Sequence, residues 1–183
     1  MPLPTQDELD LSRLLLPIHA GDHIHGSPDA PYTLVEYGDY ECPNCGRLFY
    51  TLRSLHHILK DELRFAFRQY PLGGIHPHAQ QAAEAAEAAG AQGRFWEMHD
   101  LLFENQNALR TKDLWRYGQQ LSLDMQRFRE ELKNRTYEER VRDDFRRGVA
   151  NGVYGTPGLF INGVRHNGAI DQDSLLARLK GTG

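Results

Sequence analysis

The sequence predicts an α/β fold in the order strand–helix–strand, helical insertion, strand–strand–helix. Three observations carry this. The stretches "YTLVEYG" and "ELRFAFRQYPL" read as strands and flank one stretch of helical spacing. A long middle stretch is rich in Ala, Glu and Arg and repeats its apolar residues at helical spacing. Near the end, "LFING" and "VRHNGAI" meet at Asn162 and Gly163, a strong hairpin signal.

Taken in order, residues 1–21 read as an arm with two early prolines and room for one short helix. A single domain follows over 22–183, its helical insertion spanning about 74–148. "GSPDAP" is turn chemistry, and the first strand runs from about Tyr32 to Tyr37. Pro43 sits where a helix can begin, because its missing N–H costs little in the first turn. Cys45, Leu48, Leu52, Leu55 and Leu59 then recur at helical spacing. Leu63, Phe65 and Phe67 alternate in the second strand, completing a βαβ unit. In the insertion, "FWEMHDLLFEN" places Phe95, Trp96, His99, Leu102 and Phe103 on a helix and reads as core. Thr111 is the expected cap of the next helix, and Ser122 or Asp124 of the one after. "TYEERVRDDFRRGVANG" is amphipathic and ends near Gly152, with Arg146 and Arg147 on a solvated face; "DQDSLLARLK" closes the chain as a helix.

Composition bounds the function. Of 183 residues 40% are hydrophobic, enough for a sizeable core. A formal charge of −4 and a pI near 6.1 give no electrostatic reason to expect nucleic acid or an anionic membrane as partner. No apolar run approaches the roughly 20 residues of a membrane span. The N-terminus lacks a basic segment and a long apolar run, so it does not read as a secretory signal. The expectation is a cytoplasmic chain, where thiols stay mostly reduced and a cysteine pair is catalytic or metal-binding rather than a staple.

The two cysteines of the chain, Cys42 and Cys45, enclose Pro43 and Asn44 at the predicted strand-to-helix turn. A C-x-x-C so placed is a redox motif. Cys42, at the helix start, meets unpaired N–H groups and the helix dipole, which favour a thiolate; it is the expected exposed nucleophile. Cys45, one turn in, would be less exposed and would resolve the mixed disulfide. The alternative is structural zinc, which needs four ligands. Two histidines from "HIH" (His23, His25), "HH" (His56, His57) or "HPH" (His76, His78) would have to complete it, and none stands at finger spacing from the cysteines. The redox reading is preferred. Glu36 shares a strand face with Leu34; buried under the helix it could relay a proton during exchange, and otherwise it is a solvent-facing carboxylate.

The motifs "SPDAPYTLVEYGDYECPNC" and "GVYGTPGLFING", with the helical insertion between them, resemble the DsbA-like thiol:disulfide oxidoreductases of the thioredoxin superfamily from about Asp22 to Lys180. The resemblance implies a thioredoxin fold and exchange of the Cys-Pro-Asn-Cys pair with protein substrates, served by a redox recycling partner and requiring no metal or organic cofactor. It implies that Pro157 follows a cis peptide beside the cysteines, and that Thr156 offers its backbone to an extended substrate chain. It also makes Pro43 and Asn44 tuning residues. DsbA-like oxidants usually carry a histidine in this dipeptide, where this chain has the neutral Asn44. With Asp39 and Glu41 beside the site, the expectation is a disfavoured thiolate and a milder redox potential. Two other roles stay open: a glutathione-handling enzyme of the same superfamily, and a binding or chaperone module whose cysteine pair is idle.

Overall fold

The structure, a computed structural model, describes residues 12–181. Five strands form one sheet: β1 (His23–His25), β2 (Tyr32–Gly38), β3 (Leu63–Gln69), β4 (Gly158–Ile161) and β5 (Val164–His166). Their order is β1-β3-β2-β4-β5; β2 and β3 are parallel and every other pair is antiparallel. Among the described residues seven α-helices surround it: α1 (Pro43–Leu59), α2 (Ala79–Gly90), α3 (Phe95–Glu104), α4 (Thr111–Gln120), α5 (Met125–Lys133), α6 (Glu138–Ala150) and α7 (Gln172–Lys180). This is the expected α/β thioredoxin arrangement, with β1 added at one edge.

The period of two along β2 and β3 sorts their side chains between two cores. Leu34, Phe65 and Phe67 join the larger one, with Cys45, Leu48, Leu52 and Leu55 of α1 and apolar residues of α2–α5 and α7. Val35, Tyr37 and Ala66 face the other way, against Tyr70, Val153 and Phe160. Helix α6 covers this second face: Phe145 stacks on Tyr70 with ring centroids 4.3 Å apart, and Asp144 accepts the Gln69 N–H at 3.0 Å. The helical run read from the sequence as one insertion therefore divides. Helices α2–α5 extend the larger core, and α6 returns to the sheet.

Residues 12–21 contain no helix; the rest of the arm lies outside the described residues. Arg13 makes a β-bridge to Val164, and the Leu14 N–H donates to the Gly163 carbonyl at 2.8 Å. Arg68 lies on the second face of β3 and is fully buried. It donates to both oxygens of Asp22 (2.9 and 2.8 Å), to the Tyr37 hydroxyl (2.7 Å) and to the carbonyls of Leu16 and Pro17 (2.9 Å each). One guanidinium thus satisfies its donors on the arm and the sheet together.

Local chemistry explains the other departures, and two expectations that hold. "HIH" is a three-residue edge strand, and His23 bonds the Glu87 carboxylate at 2.9 and 3.0 Å. Thr111 is the first residue of α4 and not its cap; the Arg110 N–H is held by the Asp113 side chain, and the Thr111 hydroxyl donates to Gln81. Arg147, expected on a solvated face, bonds His19 of the arm at 2.7 Å. Asp124 caps α5, accepting from the Arg127 N–H at 3.1 Å. Asn162 and Gly163 turn the β4–β5 hairpin with φ of 49° and 77°, the left-handed pair such a turn requires.

Candidate active site

Strand β2 ends at Gly38, and the chain reaches α1 through Asp39, Tyr40 and Glu41. Cys42 is the cap residue of α1 and Pro43 its first residue. The Cys42 N–H donates to the Asp39 carbonyl at 3.1 Å, closing the turn that aims the Cys42 sulfur along the helix start. Both cysteines are free thiols. Cys42 is not the exposed group expected from sequence: it is 6% exposed, and Cys45 is wholly buried. Neighbouring loops wall the helix start, so Cys42 is accessible only by comparison with its partner.

The two thiols differ sharply. A hydrogen bond from the Cys45 thiol is the main influence on Cys42; burial opposes it, and Thr156 and the N–H groups of Cys45 and Asn44 add to it, bringing the pKa down to about 5. These amides are the helix-start donors that stabilise an anion. Burial pushes Cys45 well above the ordinary thiol range, helped by its bond to Cys42 and by the Glu36 charge. The flanking acids, expected to disfavour a thiolate at Cys42, do not keep its pKa from being lowered. The acids are occupied: Asp39 accepts from the Leu72 N–H (2.8 Å), the Glu41 N–H (2.8 Å) and His76 Nδ1 (2.7 Å). Glu41 accepts from His78 through its N–H and its Nδ1, both at 2.7 Å. Asn44 faces outward and accepts from Arg47.

Glu36 lies on the Leu34 face of β2, as the alternation requires, and is 1% exposed. Burial raises its pKa to about 8; the neighbouring Cys45 thiol opposes this and the charge of Cys42 adds to it. Its Oε1 is buried without a hydrogen-bond partner, beside Gly38. The Thr156–Pro157 peptide is cis. The Cys42 thiol donates to the Thr156 carbonyl at 3.4 Å, and the Thr156 hydroxyl is buried and unpartnered beside it. As a thiolate, Cys42 can no longer donate to that carbonyl and gains a use for that hydroxyl.

Sequence reasoning missed three residues of this site. His76 and His78, read only as metal candidates, brace Asp39 and Glu41 from the loop after β3. Gln106, beyond α3, donates to the carbonyls of Tyr40 and Cys42 at 2.9 and 2.8 Å. Gly46 permits that approach, because a Cβ there would overlap the Gln106 side chain. A groove of about 430 Å³ lies beside Pro43, lined by Glu41, His78, Gln106, Asn107, Leu109 and Arg110. Among the described residues no three His, Cys, Asp or Glu side chains come together as a metal site, and no helix is long and apolar enough to cross a membrane.

Comparison with known proteins places this geometry in a family. The thioredoxin family profile matches residues 19–181. In fold the chain is similar to BdbD from Bacillus subtilis (TM-score 0.77, 24% identity, covering 88% of this chain and 92% of that one). It is similar also to alpha-DsbA1 from Wolbachia pipientis (TM-score 0.77, 19% identity, 92% and 94%). At these identities the likeness is one of fold. In sequence it is 47% identical over 167 residues to a protein of Salinispora arenicola named Na(+)/H(+) antiporter NhaA 1, and 46% identical over 165 residues to the Salinispora tropica protein named Na(+)/H(+) antiporter NhaA 3. Each match takes in 90% of this chain, which spans about a quarter (25%) of either relative. The chain belongs to the thioredoxin family and has the fold of its DsbA-like structures.

Proposed function

We propose that the chain is a thiol:disulfide oxidoreductase acting on protein substrates through Cys42 and Cys45. The observation that carries this reading is the asymmetry of the pair: an acidic thiol at a helix start, one turn from a buried thiol held in its protonated form. The Cys42 thiolate attacks a substrate disulfide, one substrate sulfur leaves as a thiolate, and a mixed disulfide forms. Cys45 loses its proton to the Glu36 carboxylate and attacks the Cys42 sulfur. The second substrate sulfur leaves, so the substrate gains two electrons and the Cys42–Cys45 disulfide holds the oxidised state. Reversed, the same steps oxidise a dithiol, and a recycling partner resets the pair. A Glu36 pKa of about 8 supports the relay, because near neutral pH such a group both takes and returns a proton. In this reading Thr156 and Pro157 hold the substrate backbone next to the sulfur, as an added extended segment. Pro43 and Asn44 tune the helix start. The proposal covers the stretch shared with the antiporter-named relatives, about a quarter of their length.

The test is equilibration in glutathione buffers of graded potential, with alkylated thiols counted by mass. A reversible two-electron transition is expected; a midpoint near about −120 mV marks an oxidant and one near about −270 mV a reductase. No transition, or thiols released only by a chelator, refutes the reading. Retention of full activity by Cys42→Ser would point instead to a binding module.

A further inference from the structure

The charge environment of Cys42 includes a group distant in sequence. The Asp39 carboxylate is fully buried three residues before the nucleophile, and its backbone carbonyl accepts the Cys42 N–H. Left alone, that carboxylate would oppose a thiolate at Cys42. His76 approaches from the loop after β3 and places Nδ1 2.7 Å from Asp39 Oδ2, with its side chain 17% exposed. The Leu72 N–H, from the same loop, donates to the same oxygen at 2.8 Å. Two points of one loop therefore grip the residue that shapes the redox turn.

We propose that His76 is a positioning residue for Cys42: as an imidazolium it neutralises Asp39 beside the nucleophile and fastens the loop at 71–78 to the turn before α1. This rests on Cys42 being the reactive thiol. The charged groups around His76 are few. Asp39 is its ion-pair partner, and Glu41 follows two residues on, itself held by His78. Cys42 is the third, and Arg47 stays on the outer side with Asn44. Burial pulls the His76 pKa down, but the Asp39 hydrogen bond and charge, then the charges of Cys42 and Glu41, outweigh it and raise it. Because Cys42 is among those charges, coupling must run both ways.

The test compares His76→Gln with His76→Lys, reading the thiolate absorbance of Cys42 against pH and the equilibrium with glutathione. The Gln variant is expected to raise the thiolate midpoint by about one pH unit, tenfold in acidity. It should shift the glutathione equilibrium about tenfold toward the disulfide, about 30 mV more reducing. The Lys variant, which keeps a positive charge, should recover most of both. An unchanged midpoint in the Gln variant overturns the proposal. So do equal shifts in Gln and Lys variants, which would mark a purely structural role. Should the variants fail to fold, the native protein still decides: the ring of His76, followed by NMR, must titrate higher in the reduced than in the oxidised protein. Equal midpoints refute the coupling. The thiolate titration needs no protein substrate, so it stands or falls separately from the redox transition that tests the function.

Discussion

The pH dependence of Cys42 reactivity follows directly from its position at the start of α1. With a pKa of about 5, Cys42 at pH 6 is about 90% thiolate, against about 0.1% for an ordinary thiol at 9.0. That is roughly a 900-fold advantage in thiolate, but a weaker base is a poorer nucleophile. With a Brønsted coefficient of about 0.4–0.5, four units of acidity cost about 40–100-fold in intrinsic rate. The net expectation is reaction about tenfold faster than an ordinary thiol at pH 6, about equal at pH 7 and several-fold slower at pH 8. The assay is stopped-flow reaction with 4,4′-dithiodipyridine from pH 4 to 9, using Cys42→Ser as blank and a cysteine peptide as reference. The shape matters more than the absolute rate, since Cys42 is recessed: the profile should rise through about pH 5 and then stay flat. A profile that climbs about tenfold per unit up to pH 8 would show an unperturbed thiol and refute the electrostatic reasoning.

Further outcomes follow from neighbouring residues. Cys42→Ser should leave Cys45 nearly inert to alkylation at pH 8 in the folded protein, because burial holds that thiol protonated; rapid labelling, measured by mass, would contradict this. Glu36→Gln should slow resolution of a trapped mixed disulfide about 100-fold or more, the usual contribution of a positioned base; an unchanged rate in quenched-flow would remove Glu36 from the mechanism. The same substitution should change how stability depends on pH. The folded pKa of Glu36 lies above the unfolded value of 4.5, so the stability given by the protonated acid is complete below about pH 4.5 and is lost as pH rises through about 8. Gln should flatten that slope in urea unfolding, gaining on the native protein toward pH 8. Arg68→Met should cost about 3–5 kcal/mol in urea unfolding, because Asp22 would keep a buried charge with its main partner gone; a loss under about 1 kcal/mol would mean that the arm does not depend on this ion pair.

Local signals sufficed for much of the fold. Leu34, Phe65 and Phe67 announced β2 and β3 by alternation, Asn162–Gly163 announced the hairpin, and the Cys42–Cys45 spacing placed the site at the start of α1. Edge strand β1 escaped notice because three residues are too few for periodicity; it exists through pairing with β3. The parting of α6 from the rest of the insertion was hidden for a related reason. Its amphipathic pattern shows that one face is buried, but not that Tyr70 and Gln69 receive it. At the site, the reactive sulfur was legible and its surroundings were not. His76, His78 and Gln106 reach the turn from loops that only the folded sheet brings there. The acids before Cys42 therefore read as bare charges in the sequence and are paired in the structure.

Arg68 also bears on where this protein can be cut. The recognisable family pattern begins at residue 19, but the carbonyls that receive the Arg68 guanidinium belong to Leu16 and Pro17. Leu14 and Ile18 pack on the second core, and the Leu15 N–H donates to the Asn151 side chain at 2.7 Å. A chain shortened to the family boundary would keep every residue of the redox site. It would also leave two guanidinium donors without their carbonyls, uncover part of one side of the sheet and take the Leu15 N–H from the Asn151 side-chain oxygen. The stretch that identifies the protein is therefore shorter than the stretch that folds.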